Sequence, residues 1–301
     1  MELGALAIAA RLVLFVAVLG LFGTAALGIY APTAFAMARP RRAMIAATSA
    51  GAATTVLGLN LLAAQMTGAL AGALDPGTLM TVATGTAAGI ATLARFSVLA
   101  IGLVLMLCWK ALARGPVAAM TGLFGVAAAS LAWGGHAAAS EGAIGVFRLT
   151  ADILHLLAAG IWLGALLVFV HLIRRMDRDN ANQVHASLAQ FAGVGSGVVA
   201  VLLLTGVINL GLALGWTHLT SIVAMLWGRL LLLKIALFAA MLGLAALNRF
   251  RLTPALGVGD AASVPAAEAA LRRSLFLETA CALLVIALVA WLGTLAPLPD
   301  A

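Results

Sequence analysis

The feature that most constrains the fold is a series of long apolar segments separated by short polar or Gly- and Pro-containing turns. A segment that crosses lipid must pair its own backbone N–H and C=O groups, so it forms a helix of about 20 residues. Segments of this length lie near residues 4–30, 43–70, 86–112, 116–138, 149–173, 190–215, 222–248 and 271–296. The sequence therefore predicts an all-α, polytopic transmembrane helix bundle with about eight spanning helices.

The composition leaves little chain for a soluble domain. Of the 301 residues, 64% are hydrophobic and 9% are charged, and the mean hydropathy is +1.15. Soluble domains contain roughly 25% charged residues. We therefore expect residues 1–301 to form a single integral membrane domain. The first apolar segment contains Glu2 and lacks a basic n-region, which predicts a retained helix and not a signal peptide.

The basic residues predict the orientation of the bundle. Twelve of the 17 Lys and Arg residues lie in alternate loops, and they are Arg39, Arg41, Arg42, Lys110, Arg114, Arg174, Arg175, Arg178, Arg249, Arg251, Arg272 and Arg273. By the positive-inside rule these loops are cytoplasmic, and both termini face outward, toward the periplasm in a bacterial inner membrane. The net charge of +7 is thus explained by topology, with membrane lipid as the surrounding partner and no nucleic acid implied.

One segment, residues 131–164, places ionisable side chains inside apolar sequence. His136 lies near the predicted outer end of the fourth helix, and Asp152 and His155 lie near the predicted outer start of the fifth. A joining loop of about ten residues predicts that these two helices are antiparallel neighbours. At 1.5 Å per residue, Asp152 and His155 are expected about 4 to 9 Å below the outer boundary.

These three residues predict a metal site. Asp152 and His155 are three positions apart and share one helix face. Neutral imidazole suits copper, zinc, iron and nickel, and a carboxylate either binds the ion or orients the imidazole ring. Thioether ligands would favour Cu(I), and Met66 and Met225 lie at a suitable predicted depth. The predicted metal ligands are therefore His136, His155, Asp152, Met66 and Met225.

A structural interpretation remains open for each of these residues. A membrane histidine often bonds one helix to another, and Asp152 is placed to cap the start of its helix. Arg229 and Lys234 are awkward neighbours for a cation, and they either extend to the interface, pair with Asp152 or bind an anionic partner. Two histidines at matched depth on adjacent helices favour the functional interpretation.

Further residues in the apolar segments have two interpretations. Glu278 and Cys281 share a face of the last predicted helix, and Cys108 lies near the inner end of the third, where a carboxylate and thiols would relay a metal inward. Cysteine is equally a small apolar core residue.

Glycine pairs one helical turn apart, such as Gly160 with Gly164 and Gly193 with Gly197, predict close approach of helices.

Several segments resemble the CopD or PcoD copper resistance D family of bacterial inner membranes. They run in the family's order from about Ser130 to Pro297, and they are SLAWGGHAAA, DILHLLAAGIWLGALLVF, FAGVGSGVVAVLLLTGVINLGLAL, WGRLLLLKIALFAAMLGLAALNRFRLTPAL and RRSLFLETACALLVIALVAWLGTLAP. The resemblance implies a protein that moves copper, as Cu(I) or Cu(II), across the inner membrane. It also implies a separate periplasmic CopC-like copper-binding partner, since no CopC domain is fused to residues 1–301.

The resemblance extends to individual positions. It supports His136 in the GGHA segment and His155 in the LHLLAAGIW segment as copper ligands. It also implies that four further residues are family-like positions without an assignable role, and they are Trp162, Arg229, Lys234 and Asn248.

The leading hypothesis is a permease that accepts copper at the periplasmic face and moves it to the cytoplasm. The sequence has no GxxxxGKS, CxxC or DKTG motif, so we expect neither an ATP-driven pump nor an enzyme. One alternative is a haem-binding electron-transfer protein with His136 and His155 as axial ligands. Another is a copper-binding assembly factor that does not transport the ion.

Overall fold

The computed structural model describes residues 2–108, 114–134, 142–176, 180–214, 225–258 and 264–295. Over these ranges the regular structure is helical, and they contain no strand. The helices are α1 (Glu2–Tyr30), α2 (Pro32–Ala38), α3 (Arg41–Thr67), α4 (Pro76–Gly85), α5 (Ala87–Cys108), α6 (Arg114–Ala129), α7 (Gly142–Arg174), α8 (Ala181–Leu214), α9 (Leu226–Leu247), α10 (Thr253–Val258) and α11 (Val264–Leu292). The predicted all-α class is confirmed.

Within the described ranges, eight helical stretches are long and apolar enough to cross a membrane. A 3₁₀ turn, Ser130–Gly134, extends α6, and a π-helical turn, Asn248–Leu252, joins α9 to α10 within one span. The short helices α2, α4 and α10 were not predicted, because they are too short to give a transmembrane hydropathy signal.

Three helices begin seven or more residues earlier than predicted. α7 begins at Gly142 and α11 at Val264, each seven residues before its expected start, and α8 begins at Ala181, nine residues before it. The expected starts followed the limit of the apolar sequence. Polar residues such as Arg148 and Gln183 are compatible with a helical backbone, so the helices continue beyond that limit.

The first helix forms the centre of the bundle. α1 packs against α3, α6, α7 and α11. Its most apolar window is 56% buried, the highest share among the eight candidate spans. Fully buried side chains such as Val18 and Leu27 extend the core along its length. The position of α7, which carries two of the predicted metal ligands, is therefore set by its contact with α1.

Glycines allow α1 and α7 to approach closely. A Cβ added at Gly23 would overlap the carbonyl oxygen of Gly160, and one added at Gly164 would overlap the backbone of Gly23. The close approach predicted for Gly160 and Gly164 is confirmed. The one predicted for Gly193 and Gly197 is wrong, because an added Cβ at either position meets open space.

We expect Gly164→Ala to destabilise the protein, because its methyl group has no space against the α1 backbone. Overpacking of this kind costs about 1–3 kcal/mol. Thermal unfolding of the purified protein in detergent should show a lower Tm for Gly164→Ala and an unchanged Tm for the matched control Gly197→Ala. Equal Tm values for the two variants would contradict the close packing of α1 and α7.

Candidate metal-binding site and a buried carboxylate network

Two hydrogen bonds connect the polar face of α7 to α8. His155 Nδ1 lies 2.9 Å from Thr205 Oγ1, and Asn209 Nδ2 donates to Asp152 Oδ1 at 2.6 Å. The spacing is three residues on α7 and four on α8, so each pair of side chains lies on one face of its helix. The antiparallel register of the two helices therefore joins these four side chains into one polar patch.

The hydrogen bonds of Thr205 fix the tautomer of His155. The Thr205 hydroxyl donates to the Val201 carbonyl oxygen at 2.6 Å, one turn back along α8. Its single proton is then occupied, so it accepts a hydrogen bond from His155 Nδ1–H. The neutral ring consequently carries its free lone pair on Nε2. This is the arrangement of a metal-binding histidine whose other nitrogen is held by a second group.

The candidate ligands lie farther from the start of their helix than predicted. Asp152 and His155 are ten and thirteen residues from the start of α7, or about 15 and 20 Å along the helix. This places His155 near the middle of the candidate span Gly142–Arg174. The expected depth of 4 to 9 Å below the outer boundary stays a prediction, because α7 is longer than a membrane crossing requires and its start does not mark that boundary. The alternative role of Asp152 as a helix cap is also wrong, because Asp152 lies in the interior of α7.

Cationic side chains surround the Asp152 carboxylate. Lys234 on α9 interacts electrostatically with both Asp152 and His155, and Arg148 interacts with Asp152 from one turn earlier on α7. Of the alternatives for Lys234, pairing with Asp152 stays a prediction, which this electrostatic interaction supports. The negative charge of Asp152 offsets the positive charge of Lys234 near the imidazole. A metal cation at His155 would interact with the same carboxylate as Lys234 does.

The structure brings together only part of the predicted ligand set. His136 lies outside the described residues. Met225 directly precedes α9, which packs against α11. Met66 is 60% exposed near the end of α3, whose main neighbours are α1, α4 and α5, so it is not placed beside Asp152 and His155. The described residues contain no cluster of three or more His, Cys, Asp or Glu side chains suited to a metal. As metal ligands, all five residues stay predictions.

Two arginines hold the turn that leads to His136. The buried Arg95 donates from Nε to Ser130 Oγ at 2.9 Å and from Nη2 to the Ser130 carbonyl oxygen at 2.8 Å. Arg11 donates to the Gly134 carbonyl oxygen at 3.3 Å. This 3₁₀ turn also packs against α7. The predicted neighbours, the fourth and fifth spanning helices, are therefore adjacent, as expected.

A second polar network joins three parts of the bundle. Trp162 Nε1 on α7 donates to Glu278 Oε1 on α11 at 2.8 Å, and Asn248 Nδ2 in the π-helical turn donates to Glu278 Oε2 at 2.9 Å. Glu278 is 3% exposed. Phe238 on α9 packs edge-on against the Trp162 ring, with centroids 6.0 Å apart. Sequence patterns missed this network, because each of its members comes from a different helix or turn.

The thiols predicted to extend this carboxylate into a relay are not assembled around it. Cys108 is exposed at the end of α5, whose main neighbours are α3, α4 and α6. Cys281 is partly buried, one turn from Glu278 on α11. The two thiols therefore lie on helices that are not packing partners, and no relay joins them in the part of the chain that the structure describes.

We expect Arg95→Met to lower the stability of the protein. Methionine fills much of the same space but leaves the buried Ser130 groups without their donors, at a cost of about 1–3 kcal/mol. Thermal unfolding in detergent should show a reduced Tm for Arg95→Met and a smaller change for Arg42→Met, a matched substitution at an exposed arginine. If the two variants unfold at the same temperature, Arg95 does not stabilise the turn before His136.

Comparison with known proteins identifies the family. Residues 1–146 match the family described as Copper resistance protein D-like, N-terminal domain, and residues 185–292 match Copper resistance protein D. The chain is 35% identical to Copper resistance protein D of Pseudomonas syringae pv. tomato over 304 residues, which cover 97% of each chain. It is 30% identical to Inner membrane protein YebZ of Escherichia coli (strain K12) over 167 residues, covering 56% of this chain and 55% of that protein.

No solved structure matches the chain. The match to the first relative extends over nearly the whole of both sequences. The eight candidate spans agree with a family of membrane proteins, and one of the two relatives is named as an inner membrane protein. The resemblance predicted from the sequence is thus confirmed, and the chain belongs to the copper resistance protein D family.

Proposed function

We propose that the protein is a copper permease of the bacterial inner membrane, which accepts copper at the periplasmic face and passes it to the cytoplasm. The observation that carries this proposal is the hydrogen bond between His155 Nδ1 and Thr205, which leaves Nε2 free near the middle of a spanning helix. An imidazole oriented in this way at such a depth offers a site to an ion that crosses the membrane.

The charges around His155 suit a transient cargo. A neutral imidazole adds no charge of its own, while Asp152 and Lys234 balance each other nearby. Copper at Nε2 would therefore have one neutral ligand and would lack a complete set of anionic ligands. Too strong a site would retain the ion, so a permease gains from a small number of neutral ligands at this depth.

In the proposed route copper meets His136 before it reaches His155. The turn that precedes His136 is fixed by Arg95 and Arg11 and packs against α7. Met225 lies at the start of α9, the helix that carries Lys234. A soluble periplasmic protein of the CopC type is proposed as the donor. The sequence has no ATP-binding motif, so the transport is passive or coupled to another ion.

Copper uptake into proteoliposomes tests this proposal. We expect the wild-type protein to take up copper, and His155→Ala and His136→Ala to lose most of that uptake, because each removes a proposed ligand. His171→Ala is the matched control, since it removes an imidazole from α7 sixteen residues beyond His155, and it should retain uptake. Metal content is measured on the same samples.

The other possible outcomes would contradict the permease or its proposed site. Bound copper without uptake would overturn the permease and favour an assembly factor. A purified protein that binds no copper and shows a haem absorbance band would favour the electron-transfer alternative. Equal loss of uptake in His171→Ala would show that the effect is not specific to the proposed site.

We expect Thr205→Val to weaken copper binding, because valine keeps the side-chain shape but cannot accept a hydrogen bond from Nδ1. Loss of such a supporting group typically lowers metal affinity about 10- to 100-fold. Competition titration against a chelator measures the change. Thr121→Val is the matched control, since Thr121 bonds only to its own helix at Val117. An unchanged copper affinity in Thr205→Val would contradict the prediction that Thr205 supports copper binding by His155.

A further inference from the structure

Glu278 is a buried carboxyl group that the proposed copper site does not use. It lies thirteen residues from the start and fourteen from the end of the span Pro265–Leu292, or about 20 Å from either end. Only 3% of its surface is exposed. A carboxylate ion at such a place is costly unless a cation or several donors compensate it.

Several cations on the neighbouring elements have partners other than Glu278. α11 packs against α1, α7, α9, α10 and the π-helical turn. Arg11 donates a hydrogen bond to Gly134, and Arg249 donates to Ala192 and Ser196. Arg174 lies over the Phe276 ring, and Lys234 interacts electrostatically with Asp152. Arg251 is exposed, and α10 has no charged residue. On α11 itself, Arg272 donates to Ile173, and Cys281 is the titratable residue one turn away.

The interactions of the Glu278 carboxyl group in the described part of the chain are with two neutral donors, the indole N–H of Trp162 and the amide of Asn248, and include no charged group. Two such donors compensate a buried negative charge less fully than a cation does. A neutral acid, in contrast, needs one donor for its carbonyl oxygen and one acceptor for its hydroxyl group.

Asn248 can supply either kind of partner. It is 9% exposed, and its Oδ1 is buried without a hydrogen-bond partner, while its Nδ2 donates to Glu278 Oε2. Rotating the planar amide by about 180° exchanges the positions of Oδ1 and Nδ2. Oδ1 would then accept a hydrogen bond from a protonated Oε2, and Trp162 would continue to donate to Oε1. The same three side chains thus satisfy both the ionised and the protonated form of Glu278.

We propose that Glu278 is a proton-binding site that exchanges one proton for each copper ion passing His155, with Asn248 as the amide that adapts to both protonation states. This inference rests on the proposed permease function. Trp162 follows His155 by seven residues on α7, which is about 10 Å along one helix face. A copper cation at His155 therefore stabilises the ionised form of Glu278 across low-dielectric protein.

The exchange is a simple proton transfer. When copper binds, the Oε2–H bond of Glu278 breaks, the electron pair stays on Oε2, and the proton passes to water. When copper leaves, Oε2 accepts a proton from water. Ser274 is one turn from Glu278 on α11, toward the Arg272 end, and its buried hydroxyl has no hydrogen-bond partner. This hydroxyl is available to a water that supplies a proton to Glu278 from the predicted cytoplasmic end when copper leaves.

The test is infrared difference spectroscopy combined with proton release on copper binding, using Cu(I) and the purified full-length protein. We expect the copper-free wild type to show the C=O stretch of a protonated carboxyl group, and copper binding to remove this band. The variant Glu278→Gln mimics the protonated form and should lack the band. It should also release about one proton less per bound copper than wild type. Glu268→Gln is the matched control on α11, and it should retain both signals.

Each result bears on a defined part of the proposal. A wild-type spectrum without the Glu278 band across the accessible acidic range would overturn the proton site. A band that persists after copper has bound, or equal proton release in wild type and Glu278→Gln, would overturn the exchange. Bound copper is measured in the same samples. A protein that shows the band but binds no copper would overturn the proposed permease function and leave the proton site of Glu278 standing. Asn248→Leu, which removes the adaptable amide, should weaken the copper-dependent change in the band.

Discussion

The close approach of α1 and α7 is the contact on which both polar sites depend. Gly160 and Gly164 place the α7 backbone directly against Gly23, where no side chain has space. At about 100° per residue, these glycines lie about 140–180° around the helix from His155. The glycine face therefore fixes the rotation of α7, and the opposite face carries His155 toward α8 and Trp162 toward α11. In lipid, where apolar attraction between helices is weak, such backbone contact is a principal way to hold one rotation.

The sequence was sufficient for the parts of this fold that lipid dictates. Lipid forces each crossing into a helix, so the eight spans could be counted from apolar length alone. The starts of α7, α8 and α11 could not be placed, because hydropathy marks the limit of apolar sequence and not the end of the helix. That error placed Asp152 at a helix start, although it lies in the interior of α7 and bonds to Asn209.

The candidate site was predictable only in part, for a related reason. Asp152 and His155 were identifiable because ionisable residues are rare in apolar segments. Their partners Thr205 and Asn209 were not, because pairing across helices depends on a register that no local pattern encodes. The same holds for Glu278, whose donors come from α7 and the π-helical turn. The resemblance identified Trp162 and Asn248 as family-like positions without a role. The packing of the helices shows that both side chains donate hydrogen bonds to Glu278.

The cations in the bundle are compatible with a copper site because several of them have partners of their own. Arg11 and Arg95 donate to carbonyl groups of the turn before His136, and Lys234 interacts electrostatically with Asp152. In the proposed exchange, Glu278 would act on an ion at His155 by way of Trp162, which donates to Glu278 and lies about two helical turns from His155 on α7. Two unit charges about 10 Å apart interact by about 1.7 kcal/mol at an effective dielectric constant of about 20, and charges farther apart interact less. Coupling of this order would link the occupancy of the two proposed sites without making the carboxylate a ligand that retains the ion.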